Sequence, residues 1–499
     1  MTFRFPAAML IGLSVAGAAA AQEDVAQRSN KWFTDAQARV AELAAVTPNT
    51  NRAKNVILFI ADGNGVGTNY ATRLWVGQQK GGMGDDHVLP QEAFPNLALV
   101  KTYTTNGQTP DSAPTASAMN TGVKSKNGTI NIDETGGYGD CDAAAKTGLS
   151  TFAEVVTGMG KSVGVVTTAR ITHATPAAVY AKTAHRDWED DTKLPEGCAQ
   201  KDIAAQLVDA IEAGTVDFAM GGGRRHFLPN GVKDEEGEDG RRVDDRNLVE
   251  EVKGKGWQYV WNSETAQAAD PTKPVLGLFE SSHMRYENDR NEEPSLAEMT
   301  EMAIGNLSRN QEGFYLEVEA GRVDHATHER NLHRAGTDGA AFAEAIEKAV
   351  AMVDMRETLI IVTADHEHAI AFNGYCGRGT PITGLCYEID ENGAAHNGVP
   401  AQGLDGKPYT AAGYLNGAGS ILHQEEGAND YAGTRAADLT QEEATGADYM
   451  QQALIPMKSE THSGEDVAVM ADGPWAHLFR GVIEQNVIFH VMLKAVNGG

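Results

Sequence analysis

Five apolar, β-branched runs most constrain how this chain folds: 55–60 (Asn-Val-Ile-Leu-Phe-Ile), 162–166, 216–220, 313–318 and 359–362. They are continuous rather than alternating, the pattern of strands buried on both faces. Helical stripes lie between them, at Ile203, Leu207 and Ile211 and at Phe342, Ile346, Val350 and Val353. Strand alternating with helix predicts an α/β fold with a mostly parallel central sheet covered by helices on both faces. Ligands bind such sheets at the carboxyl ends of the strands, so the residues just past each run carry the functional information. Two stretches read as surface insertions: the acidic 230–247, and 372–459, a crown-like excursion rich in Gly, Asn and Ala.

Met1 to Ala21 has a basic start, a short apolar centre and a small-residue exit, the pattern of a signal peptide. Its apolar run is too short to span a bilayer, and residues 493–499 form no hydrophobic tail for a lipid anchor. The expectation is a secreted or periplasmic protein without a membrane anchor, with 22–499 as a single catalytic domain. Four cysteines in an oxidising compartment allow two disulfides. Of three possible pairings, Cys376 with Cys386 closes a short loop and Cys141 with Cys198 a longer one. The formal net charge of −28 argues against binding duplex nucleic acid or an anionic membrane, and an anionic substrate needs a local source of positive charge.

At or just past the strand ends stand Asp62, Thr175, Glu319, Asp324, His328, Asp365 and His366. A helix starting near Asp324 puts Asp324 and His328, at i and i+4, on one face, where they suit a single metal ion. Carboxylate and imidazole donors without thiolates suit Zn²⁺, and an all-oxygen set suits Mg²⁺. Ser112, two residues before Pro114, reads as a helix N-cap with proline in the first turn. Such a helix end also stabilises anions, and beside metal ions a serine there can act as a nucleophile.

The blocks around Asp62, 111–113, 172–176, 319–328, 363–366 and 460–466 resemble those of the alkaline phosphatases, in family order and from about Asn30 onward. His173 and His325 make the animal-type branch the nearer likeness. Carried over residue by residue, the resemblance implies one Zn²⁺ on Asp324, His328 and His462, and a second on Asp62, Asp365 and His366 beside Ser112. It implies Mg²⁺ on Asp62, Thr175 and Glu319, a phosphate clamp at Arg186, and His173 and His325 as residues that orient water and ligands. It further implies a homodimer that hydrolyses phosphate monoesters of broad range through a phosphoserine at Ser112. Three divalent ions and Arg186 would outweigh the four carboxylates and a serine alkoxide, leaving positive charge for a phosphate dianion. Asn64 and Pro114 depart from the Met and Gly usual in the family. A Ca²⁺ site of some members maps near Phe279, Glu280 and Glu293, with Glu235 or Glu236 as a further ligand. The rival readings are a phosphodiesterase or sulfatase of the same superfamily and a non-catalytic exported protein that captures phosphate or metal.

Overall fold

A computed structural model describes residues 25–393, 395–424 and 431–498; the segment read as a signal peptide lies outside them. The chain divides into two compact units, one ending at Pro48 and one running from Asn49 to Gly499. In the first, helix α1 (Lys31–Ala45) is capped by Asn30, whose side chain accepts the Trp32 N–H at 2.9 Å, and buries none of its residues.

The second unit is built on a ten-stranded sheet. Its strands are β1 (Asn55–Ala61), β2 (Asn96–Lys101), β3 (Ser162–Arg170), β4 (Phe218–Gly222), β5 (Gln258–Val260), β6 (Val275–Leu278), β7 (Phe314–Ala320), β8 (Thr358–Thr363), β9 (Val467–Asp472) and β10 (Arg480–Glu484). Their order is β10-β2-β9-β8-β1-β7-β3-β4-β6-β5. All neighbours are parallel except β9, which runs antiparallel to both β2 and β8. Side-chain alternation along β1 explains why both faces need cover. Val56, Leu58 and Ile60 enter one core, with helix α3 (Ser112–Thr121), helix α4 (Ile203–Ala213) and the C-terminal helix α8 (Val487–Asn497). Ile57, Phe59 and Ala61 enter the other, with α5 (Leu296–Leu307) and α7 (Leu332–Met352). Both helical stripes read from the sequence therefore face the sheet.

Several strand limits differ from the sequence reading, two of them for a visible reason. The strand expected at 216–220 begins at Phe218, because the Asp217 carboxylate turns back to accept the Val163 N–H at 2.9 Å. β3 runs past 166 to Arg170, since polar residues such as Thr167 are buried there against a functional side chain. The 372–459 excursion carries strands 412–417 and 453–456, which form a small sheet with 370–372. Disulfides join Cys141 to Cys198 and Cys376 to Cys386. No helix among the described residues is long and apolar enough to cross a membrane.

Candidate metal centre

Four adjacent parallel strands, β8, β1, β7 and β3, gather their carboxyl ends in one place. Register pairs Ile60 with both Thr363 and Glu319, and Glu319 with Thr167. Asp62 follows β1, Asp365 and His366 follow β8, and Glu319 lies one residue from the end of β7; all four are 0 % exposed. Helix α6 (Arg322–His328) begins directly after β7 and presents Asp324 and His328 one turn apart. His462 arrives from the far side of the excursion: residues 462–463 pair antiparallel with 367–368, setting His462 beside His368.

The cap reading of Ser112 needs correction. Asp111 is the N-cap of α3, its Oδ1 accepting the Ala113 N–H at 2.8 Å, and Ser112 is the first helical residue. Because Asp111 satisfies the helix end, the Ser112 hydroxyl is free to point at the strand ends. Its Oγ lies 3.3 Å from each oxygen of Asp62 and 3.3 Å from His366 Nε2. Asp111 also accepts from Arg186 Nη1 at 3.0 Å, and Arg186 Nη2 meets His173 Nε2 at 2.9 Å. The guanidinium is thereby held at both ends, with a second N–H on each terminal nitrogen still to donate.

Around Asp324 Oδ1 three imidazole nitrogens converge: His368 Nε2 at 2.9 Å, and His328 Nε2 and His462 Nε2 at 3.3 Å each. His328 Nδ1 donates to the Glu460 carbonyl at 2.6 Å and His462 Nδ1 to the Pro110 carbonyl at 2.9 Å. Those bonds fix the tautomers, so the two Nε2 lone pairs face each other only 3.1 Å apart. Two acceptors at that distance repel unless a cation lies between them. His368, which the sequence reading missed, donates from Nδ1 to Glu460 at 2.5 Å. The signal that could have found it is its place two residues after His366 on an extended segment.

The third group is Asp62, Glu319 and His173, whose ligand atoms lie within 4.8 Å of one another. Thr167 donates to one oxygen of Glu319, while Glu319 Oε1, the Thr175 hydroxyl and His173 Nδ1 are buried without a partner. His173 stands beside the same cluster with its Nε2 turned to Arg186. His325 packs near it, with ring centroids 5.6 Å apart.

Electrostatics set the chemistry of the donor set. Burial first, then Asp365, Asp324 and Glu319, pushes the Asp62 carboxyl well above its usual range. Burial likewise pushes Glu319 up to about 7, with Thr167 pulling against it. Burial also raises Asp365. Asp324 goes the other way: burial would raise it, but His328, His368 and His462 hold it well below the usual range. Four buried carboxylates this close are costly unless divalent cations compensate them. With the unpartnered oxygens and facing lone pairs, the donor set fits metal ions.

Near Phe279 positive charge is already supplied by the protein. The buried Arg224 donates from Nη2 to the Phe279 carbonyl at 2.9 Å and pairs with Glu236 at 2.9 Å. Arg285 pairs with Glu280 at 2.8 Å and gives its backbone N–H to Glu293 at 2.7 Å.

Known proteins resemble this chain in sequence and in fold. The alkaline phosphatase family model covers residues 53–497. The mouse tissue-nonspecific alkaline phosphatase isozyme is 41% identical over 470 residues, covering 90% of this chain and 84% of the relative. An alkaline phosphatase of Gadus morhua is also 41% identical, covering 91% and 94% respectively. Among solved structures, the Thermus thermophilus alkaline phosphatase aligns with a TM-score of 0.65 at 24% identity, covering 91% of this chain and 93% of its own. The enzyme of the Antarctic bacterium TAB5 aligns with a TM-score of 0.60 at 21% identity, covering 90% and 99%.

Proposed function

This chain belongs to the alkaline phosphatase family, an enzyme family that hydrolyses phosphate monoesters, and we propose that it does so through a phosphoserine at Ser112. The observation that carries the reading is the convergence of Ser112, Asp62, His366 and Arg186 at the N-terminus of a buried helix. The proposed metal complement is two Zn²⁺ and one Mg²⁺. Asp324, His328 and His462, with His368 behind Asp324, would hold the first. Asp62, Asp365 and His366 would hold the second, and Asp62, Glu319 and Thr175, with His173 close by, the third. When bound, such ions supply positive charge for developing oxyanions and acidify water. At the Ca²⁺ site expected near Phe279, Glu280 and Glu293, Arg224 pairs with Glu236 and Arg285 with Glu280, while Glu293 Oε2 is buried without a partner and would be left to hold an ion.

Arg186 binds two oxygens of the phosphoryl group with its remaining N–H donors, a geometry suited to its planar fork. Asp111 and His173 hold that fork in place. Ser112 Oγ, oriented by Asp62 and His366, attacks phosphorus in line. The Oγ–P bond forms as the bond to the ester oxygen breaks; the proton lost from Ser112 Oγ ends on the ester oxygen, and the alcohol departs on the face opposite Ser112. Water then attacks the same phosphorus from that face, one of its protons returns to Ser112 Oγ as Oγ–P breaks, and inorganic phosphate leaves. The N-terminus of α3 favours negative charge at both stages. Recognition rests on the phosphoryl group, so a broad range of monoesters follows.

Export to an oxidising compartment, in keeping with two disulfides, and a homodimer complete the reading. A second copy would cover the exposed Val66, Val88, Leu97 and Phe372 around a cavity of about 880 Å³. The test is hydrolysis of a chromogenic phosphate monoester at alkaline pH, with and without chelator. Chelator-sensitive turnover that Ser112→Ala lowers by orders of magnitude is the expected result. A diester or sulfate ester cleaved faster than the matched monoester would overturn it.

A further inference from the structure

On the loop bonded to the phosphate clamp stands an exposed aromatic ring, and we infer that this residue, Tyr138, sets specificity by stacking a planar aromatic leaving group. The inference rests on the phosphatase reading and adds a substrate class to it. Tyr138 is 57 % exposed, yet its ring is placed by three contacts. It lies against Gly128, where a side-chain methyl would come within 2.3 Å of Tyr138 Cε2 and where φ is +81°, so only glycine leaves room for the ring. Gly128 is itself tied to the clamp: its N–H donates to Asp111 Oδ2 at 2.5 Å, and its carbonyl accepts the Arg186 N–H at 2.8 Å. The next residue, Gly139, donates its N–H to the Ala184 carbonyl at 3.0 Å and pins the loop beside Arg186.

The ring is also braced from behind. His185 Nδ1 accepts the Asp187 N–H at 3.1 Å, so its proton sits on Nε2, which donates to the Tyr138 oxygen at 2.8 Å. The Tyr138 O–H is left to point outward. The two rings lie 4.7 Å apart, and His185 stacks at 16° on Trp188, which is buried. A column of three rings thus runs from the buried Trp188 to the exposed Tyr138, whose ring adjoins the Gly128 that is bonded to Asp111 and Arg186. A face with its rotamer already fixed loses little entropy when a second ring stacks on it. A saturated leaving group of the same size gains no such contact.

The experiment compares benzyl phosphate with cyclohexylmethyl phosphate, similar in size and in ester oxygen but differing in planarity. The readout is the ratio of their kcat/KM values on one enzyme preparation, which cancels any loss of folded protein. The native enzyme is expected to favour the benzyl ester. Tyr138→Phe, which keeps the ring, should retain the preference, whereas Tyr138→Leu, which still covers Gly128, should lower the ratio about threefold to tenfold. A ratio near one in the native enzyme, or an unchanged ratio in Tyr138→Leu, overturns the inference and leaves the phosphatase reading standing. Turnover of neither ester by the native enzyme overturns that reading, and this inference with it.

Discussion

Three imidazoles meet at Asp324 Oδ1, and His368 is the one the sequence did not reveal. It bridges Asp324 and Glu460, so it acts by fixing the carboxylate that the proposed Zn²⁺ would use. Removing such a partner typically weakens metal binding about 10- to 100-fold. His368→Ala is therefore expected to show that loss in a Zn²⁺ titration while retaining the fold. Asp62, Asp365 and His366 were legible because they end apolar runs, whereas His462 was legible only through resemblance, since no spacing rule reaches across the excursion. Away from the metal residues, Glu189 is predicted to carry acid sensitivity. Burial alone would raise it, but His226 and Arg170 pull it down to about 2 from an ordinary 4.5. The folded pKa is depressed, so its stabilisation is complete above pH 4.5 and is lost as pH falls toward 2. Glu189→Gln should lower stability at neutral pH by on the order of 2–3 kcal/mol and flatten the profile between those limits, read as unfolding midpoint against pH.

Helix α3 shows how one side chain serves two purposes. Asp111 caps the helix and also holds Arg186 and the Gly128 N–H. Loss of a cap alone costs about 1 kcal/mol. Asp111→Ala should therefore lower the thermal midpoint only modestly, while the inhibition constant of inorganic phosphate rises severalfold because the clamp is freed. Equal binding of phosphate by both proteins would separate the cap from the clamp. Among the ten strands of the sheet, β2, β5, β6, β9 and β10 escaped the sequence reading. In β2 and β9 buried residues alternate with more exposed ones, as at Ala98 and Val100 or Val467, Val469 and Ala471, and a search for continuous apolar runs passes over that pattern. The antiparallel direction of β9 was illegible for the same reason, since nothing local in a strand states which neighbour it will meet.

At the scale of the molecule, a chain of net charge −28 concentrates four buried carboxylates at the switch from strand to loop. The sheet, its double cover of helices and both disulfides follow the pattern legible in the sequence, because continuous runs and an even cysteine count depend on local chemistry. The convergence at the strand ends depends on sheet order, which only the assembled fold supplies. Removing divalent ions with a chelator should lower the thermal midpoint as well as activity, and adding back Zn²⁺ with Mg²⁺ should restore both, since ions that bind only the folded state stabilise it by mass action. An unchanged midpoint would mean that the carboxylates are neutralised by protons alone. The most direct test of the phosphoserine mechanism is to quench the metal-loaded enzyme with acid after exposure to inorganic phosphate and map the modified peptide by mass spectrometry. A phosphoryl group on Ser112 that is absent from Ser112→Ala is the expected result. A phosphoryl group on any other residue, or turnover with no covalent phosphoenzyme at all, would contradict the mechanism.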